Sequence, residues 1–450
     1  MPFASIPFER FSDLVRITFR SIRHRNYRLF FFGQSISLVG TWLQNTALAW
    51  LVYSITKDSR ALGVMGFLGA VPILFLGVYA GTVADEFPKR KILLITQALL
   101  GLFAFLLAFF IWQNWTAIWI LGLVNLLSGA TIAFDLPTRQ AFVVEMVGKE
   151  DIPNAVALNS AIFNAARLVG PALGALIIAT ISIELCFILN GVSFIAVIIG
   201  LLMMRMPHEV RNRRLKDESR IQSMKEGVRY LYQIPNFRAL MVLVIAMTLF
   251  AWSYTVNLPV IAVEVLKGDS ATYGALLSAN GLGALVAALT QAAFSTKLRA
   301  RFMVYFSIAT FILSISLIPL FTLTLPVLFC LGLTGWSVIT FFITANSTLQ
   351  RFVPDELRGR VMGIYSLAFA GLFPFGSLLA GFLAHEYGVG SALWTDSAIL
   401  LVVAAFTYRF VRKLPSLSVI AERTGTKAIR AEVFNQPVSS QRNVQVETVN

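Results

Sequence analysis

Arg167 stands about half-way along an apolar run, residues 155–181, with Asn164 one turn before it. An arginine at the mid-depth of a bilayer costs at least about 2.5–3.5 kcal/mol, so it calls for a partner or a water-filled interior. Two readings stay open: a guanidinium that binds a planar anion on a ligand, such as a carboxylate or phenolate, or one capped by carbonyls of neighbouring helices. Other polar side chains recur in comparable runs: Gln34, Ser37, Thr41 and Asn45; Asn125, Ser128 and Asp135; Trp252, Tyr254 and Asn257; Thr344 and Asn346. Amides and aromatic rings in apolar surroundings suit an amphipathic small molecule, and they also serve to bond helix to helix. Enzymatic chemistry is not expected, since no paired carboxylates, nucleophile triad or metal cluster can be assembled. Cys186 and Cys330 lie in separate apolar runs without metal or disulfide spacing and are read as packing residues. No glycine-rich loop ending in Lys-Ser/Thr occurs, so ATP is not the expected driver, and no cofactor is expected.

The elements that position these residues follow from composition. Of 450 residues 57% are hydrophobic and 13% charged, with a mean hydropathy of +0.74. A soluble domain has no way to cover so much apolar surface. The apolar residues fall into blocks near the length of about 20 that crosses a bilayer as a helix. Twelve are expected: 29–53, 62–84, 92–112, 115–134, 155–181, 185–206, 239–263, 273–294, 302–321, 325–346, 361–384 and 392–410. The fold class is thus all-α membrane protein with twelve transmembrane helices.

Sorting the net charge of +14 by loop explains it without nucleic acid. The even-numbered loops and the tails hold nearly all Lys and Arg, whereas the odd-numbered loops hold Lys57, Arg60 and Lys267. This positive-inside asymmetry places both termini in the cytoplasm, with the basic faces on anionic lipid headgroups. A bacterial cytoplasmic membrane is the expected location. Residues 1–26 are not expected to be a cleavable signal; Phe8, Phe11, Val15, Phe19 and Ile22 share a helical face and predict an interfacial amphipathic segment. A polar linker, 207–238, separates a six-helix unit at 27–206 from a second at 239–412, and a polar tail, 413–450, is expected to be disordered. The halves echo each other: QAFVVEM (140–146) follows span four and QRFVPDEL (350–357) follows span ten, while Pro171 in span five answers Pro374 in span eleven. Such repeats accompany secondary transporters with a site between the halves.

GTVADEFPKRKIL (81–93) interrupts two apolar blocks with Asp85, Glu86, Lys89, Arg90 and Lys91. Gly81, Asp85, Arg90 and Lys91 resemble the loop motif of the major facilitator superfamily between spans two and three, with Glu86 where a basic residue is common and Pro88 where glycine is. Within that superfamily, HRNYRLFFFGQSISLVGTWLQNTALAWLVY (24–53), FDLPTRQAF (134–142), NAVALNSAIFNAARLVGPALG (154–174) and VPDELRGRVMGIYSLAF (353–369) resemble the branch that contains the bacterial enterobactin exporter. The resemblance covers almost the whole chain. It implies two six-helix bundles that alternate access to a central cavity lined by spans one, four, seven and ten. The charged loop then becomes a latch that holds while the site faces outward and breaks when it opens inward, with Gly81 close to a neighbouring helix, Asp85 at the start of span eleven near residues 361–363, and Arg90 reaching Asp135.

ARLVGPALGA (166–175) resembles the span-five signature of antiporters, with Gly170 and Gly174 as a small-residue face and Pro171 softening the helix. That signature goes with export. Asn125 takes the place of the span-four arginine of many drug antiporters, so the proton relay tied to that arginine does not carry over. Asp135, Glu145 and Asp396 are left as candidate proton carriers. The resulting expectation is a secondary exporter of siderophore- or drug-like molecules working by proton antiport, as a monomer. The alternatives are an importer or facilitator of a polar solute, a lysolipid flippase and a non-transporting sensor.

Overall fold

A computed structural model describes residues 19–205, 220–294 and 299–411, and they are helical throughout apart from short connections. Most of the expected interfacial segment, the loop 207–219 and the tail 413–450 lie outside the described residues. In chain order the long helices are α1 (Arg25–Thr56), α2 (Ser59–Glu86), α3 (Lys89–Trp112), α4 (Ile118–Gly148), α5 (Glu150–Thr180) and α6 (Ile183–Met203). A short α7 (Arg220–Gln233) precedes α8 (Pro235–Val265), α9 (Ser270–Phe294), α10 (Ala300–Leu320), α11 (Thr324–Phe352), α12 (Asp355–Tyr387) and α13 (Val389–Val411). Continuous helix is what a bilayer demands, because it leaves no backbone amide unpaired in hydrocarbon. Large apolar side chains such as Phe75, Trp119, Leu325 and Phe406 stay exposed on the outside, where lipid would meet them.

Eleven helices among the described residues are long and apolar enough to cross a membrane. The helix at the first expected span, α1, is not one of them, although its 32 residues reach about 48 Å at 1.5 Å per residue. Its polar stripe dilutes its hydropathy. Ser35, Thr41 and Thr46 return their hydroxyls to carbonyls one turn back, and the Gln44 side chain accepts from Asn190 of α6 at 2.8 Å.

Only the last few residues of the expected interfacial segment are among the described residues. They form a 3-10 turn, Arg20–Arg23, pinned to the start of α5. Asp151 gathers Arg20 Nε and His24 Nε2, each at 2.7 Å, and Ser21 donates its backbone amide to Asn154 at 2.9 Å. The chain turns sharply just before this point. At Gly148, φ is 72° and ψ 170°, left-handed backbone that a side chain would strain, and α4 ends there.

Small residues set the helix crossings. A Cβ on Gly129 of α4 would collide with the Gly69 carbonyl of α2, and one on Gly283 of α9 with the Gly332 carbonyl of α11. These are corresponding helix pairs on either side of residues 207–238, so the repeat seen in the sequence extends to its backbone contacts. In a membrane such contacts bind helices by close packing, since lipid supplies no hydrophobic drive between them.

Among the described residues, two spanning helices carry π turns. In α8 a π turn (Met247–Trp252), a 3-10 turn (Ser253–Asn257) and a second π turn (Ile261–Val265) interrupt the helix around Pro259. In α12 a π turn, Leu367–Gly371, precedes Pro374. Proline has no amide to donate to the carbonyl four residues back and clashes with it, so the turn before it rewinds.

Candidate functional site

Arg167 projects from α5 at the junction of the two halves and is 8% exposed. Its Nη2 donates to Asn280 Oδ1 of α9 at 2.8 Å. The guanidinium carbon lies 5.9 Å from the Trp42 ring of α1 and 5.7 Å from the Trp252 ring of α8. No carboxylate pairs with it among the described residues. Asn280 is itself held by the Tyr254 hydroxyl. Trp252 packs edge-on against Phe342 and Phe369, at 5.4 and 5.2 Å between ring centres. The irregular turns of α8 thus present Trp252 and Tyr254 together, and the small Gly170 and Gly174 let α5 settle against Trp42 and Leu43 of α1. The carbonyl of Pro171 approaches the position of a Cβ on Gly274 of α9.

A cavity of about 470 Å³ opens among α1, α4 and α5, lined by Gln34, Phe30, Arg139, Asn159, Phe163 and Asn164 among others. Gln34 is 4% exposed and its Oε1 has no partner among the described residues. Asn164 donates to Ser160 O at 2.8 Å. Phe163 meets Trp42 edge-on at 5.8 Å, so the cavity wall runs on to the arginine.

Several polar residues grouped by the sequence are engaged elsewhere. Asn125 donates to Met65 O at 2.7 Å, inside the first half, and bonds α4 to α2. Asn257 donates to Ala380 O at 3.0 Å and bonds α8 to α12. Asn346 accepts from Gln350 at 2.6 Å. Thr41 is half-buried and bonded to Ser37, while Asn45 is exposed. These amides are placed by the need to satisfy helix carbonyls at crossings, which spacing along one helix does not reveal.

The halves join at one end. Ser59 donates to Gly381 O at 2.9 Å, tying α2 to α12. Tyr53 donates to Glu264 at 2.6 Å, tying α1 to α8. His385 Nδ1 lies 3.1 Å from Asp58 Oδ1, and Trp50 stacks on Tyr273 at 5.9 Å. Arg60, bonded to Asp58 at 2.9 Å, holds that carboxyl below the usual carboxylate range, so it stays ionised beside the imidazole. At the opposite end, which carries the basic loops, Gly77 and Gly81 of α2 and Gly359 and Gly363 of α12 face open space.

The charged loop lies at this parted end. Asp85 and Lys91 are exposed. Gly81 makes no close helix approach here. The expected contact of Arg90 with Asp135 is not made: Arg90 donates to Leu202 O at 2.9 Å, and Asp135 takes Thr96 at 2.9 Å, Gln97 at 2.7 Å and Arg139 one turn on. Arg139 shares a helix with Asp135, and so has no gap between helices to cross. The helix start expected near residues 361–363 for the docking of Asp85 needs correction. Helix α12 starts at Asp355, so the amides at 361–363 lie past its first turn. The polar stretch DELRGR hid that start from a hydropathy reading.

Sequence reasoning missed Trp42, Asn280, Glu264 and His385. Asn280 and Glu264 carried a signal, a polar residue inside an apolar run and a charge just past the end of one, and so did Pro259 for the broken helix. Trp42 and His385 carried none.

The chain matches the transmembrane secretion effector family over residues 17–444. It is 28% identical over 390 residues to the staphyloferrin A transporter of Staphylococcus aureus, covering 86% of this chain and 96% of that one. It is 24% identical over 409 residues to the enterobactin exporter EntS of Escherichia coli, covering 88% and 95%. Among solved structures, a POT family transporter in complex with 5-aminolevulinic acid matches with a TM-score of 0.68 at 15% identity, over 87% of this chain and 97% of that one.

Proposed function

As the chain belongs to the transmembrane secretion effector family of major facilitator transporters, we propose that it exports amphipathic, siderophore- or drug-like molecules by alternating access driven by proton antiport. One observation carries the alternating access: the halves are joined at one end and parted at the end with the basic loops. A site between them is then reachable from a single side. In this reading the positive-inside rule makes the parted end cytoplasmic, and the state is the one in which an exporter loads. Helix α1 is the twelfth span, its polar stripe tolerated because it faces protein and cavity instead of lipid. The bundles are 27–206 and 239–412, joined by 207–238, and the protein acts as a monomer in a bacterial cytoplasmic membrane.

Export is supported by the enterobactin exporter among the relatives. The coupling proton has three candidates. Asp135 is taken by Thr96, Gln97 and Arg139, and Glu145 by Lys89 at 2.5 Å. Asp396 of α13 is 3% exposed and accepts no hydrogen bond among the described residues, which makes it the first choice.

The function is tested in proteoliposomes with the basic loops outward and an acid-inside pH gradient. Staphyloferrin A, enterobactin and ethidium are added outside. Gradient-dependent accumulation of at least one is expected. Accumulation only under the opposite gradient would make the protein an importer, and movement of labelled lysolipid alone a flippase.

The orientation has its own check. In a background without Cys186 and Cys330, Lys216→Cys and Lys267→Cys are made separately. An impermeant thiol reagent added to spheroplasts is expected to label only the second. Equal labelling would overturn the topology.

A further inference from the structure

We propose that Arg167 is a receptor for a planar oxyanion, so that a ligand of this site carries a carboxylate or ring-borne oxyanion next to an aromatic or apolar group. The inference rests on the transporter reading above and names the substrate class of the same site.

The guanidinium is more than nine-tenths buried, at the interface of the two halves, and has no acid beside it among the described residues. A charge in that position is costly, and its surroundings compensate it incompletely. The two indole rings attract a cation through their negative faces. Asn280 supplies a neutral oxygen to one nitrogen, Nη2. No other hydrogen bond from the guanidinium is made among the described residues, although it carries five N–H donors in a fixed fork. A planar anion would meet those donors with the bidentate geometry that arginine provides and lysine does not.

The ring faces of Trp42 and Trp252 explain the second half of the ligand class. A carboxylate approaching between them brings its attached group against indole, so an aromatic or apolar neighbour gains contact area as the anion pairs. Asn280 is a positioning residue. Fixed by the Tyr254 hydroxyl, it holds the fork in place and leaves its remaining edge to the ligand.

The site thus has the shape of an ion pair with one partner missing, and the missing partner can be supplied from within. Asn280→Asp would place a carboxylate where Oδ1 now accepts from Arg167. The resulting internal pair should keep the fold and close the receptor.

The test compares 1-naphthoate with the neutral 1-naphthamide, by direct binding to the purified full-length protein in nanodiscs at pH 7. The native protein is expected to prefer naphthoate. Arg167→Lys should weaken naphthoate by about 10- to 100-fold, the range for losing charge-assisted hydrogen bonds, and leave naphthamide within about twofold. Asn280→Asp should abolish that preference without lowering thermal stability. An equal loss of both ligands in Arg167→Lys, unchanged naphthoate binding in Asn280→Asp, or no preference in the native protein would each overturn the proposal. Binding is read without flux, so it can fail while export stands, and export can fail while the receptor stands.

Discussion

A disulfide between Ser59→Cys and Gly381→Cys is expected to reduce transport to background, and a reductant to restore it. The two positions belong to different halves, on α2 and α12. The Ser59 hydroxyl reaches the Gly381 carbonyl at 2.9 Å, and a Cβ on Gly381 would stand 2.6 Å from the Ser59 carbonyl oxygen. Side chains that close fall within the range over which cysteines bridge, given a small backbone adjustment. The bond would form in the state seen here and hold the joined end shut, so the cycle would stop before the site could open on that side. Each single cysteine, in the background without Cys186 and Cys330, separates the effect of crowding from that of the lock. Normal flux in the cross-linked protein would show that this end need not open.

Asp85→Asn is expected to lower transport about tenfold while expression and insertion stay near normal. At the opposite end α2 and α12 stand apart and Asp85 is exposed. In the proposed cycle, closure of the parted end would bring Asp85 toward the start of α12, which carries Arg358 and Arg360. In the open state Arg358 pairs with Asp355 at 2.5 Å and Arg360 with Glu226 of α7. Closing therefore exchanges partners among charges already present. An interaction worth about 1.4 kcal/mol in one state alone shifts the populations tenfold. The amide keeps the size of the side chain and removes its charge. A cysteine reporter pair, Gly81→Cys with Gly363→Cys, should cross-link during turnover in the parent and less in Asp85→Asn. Full transport by Asp85→Asn, or by Arg90→Ala, would reduce the loop to a marker of topology.

Much of this protein was determined by its sequence alone. Apolar blocks of bilayer length, interrupted by basic loops on one side, specify a multi-pass helical protein, because backbone satisfaction and lipid charge act on each segment locally. The oddity of Arg167 was legible for the same reason: the cost of a buried charge depends on its depth, and depth can be counted along one helix. The proline-bearing seam of α5 was legible too, since small residues at helical spacing need only their own helix to be recognised.

The tertiary structure decided what those residues meet. Arg167 finds Asn280 and two tryptophans on three other helices, 113 residues away in the first case, and no periodicity links such positions. Asn125 and Asn257, polar residues of the same kind, were drawn into helix crossings instead. Tyr53 with Glu264 and Asp58 with His385 join the halves across more than 200 residues of chain. Which end parts is likewise a property of the assembled bundles. Hydropathy and spacing report the environment of one helix, whereas partners are chosen by packing between helices, where a single small residue such as Gly129 or Gly283 sets how near two backbones come.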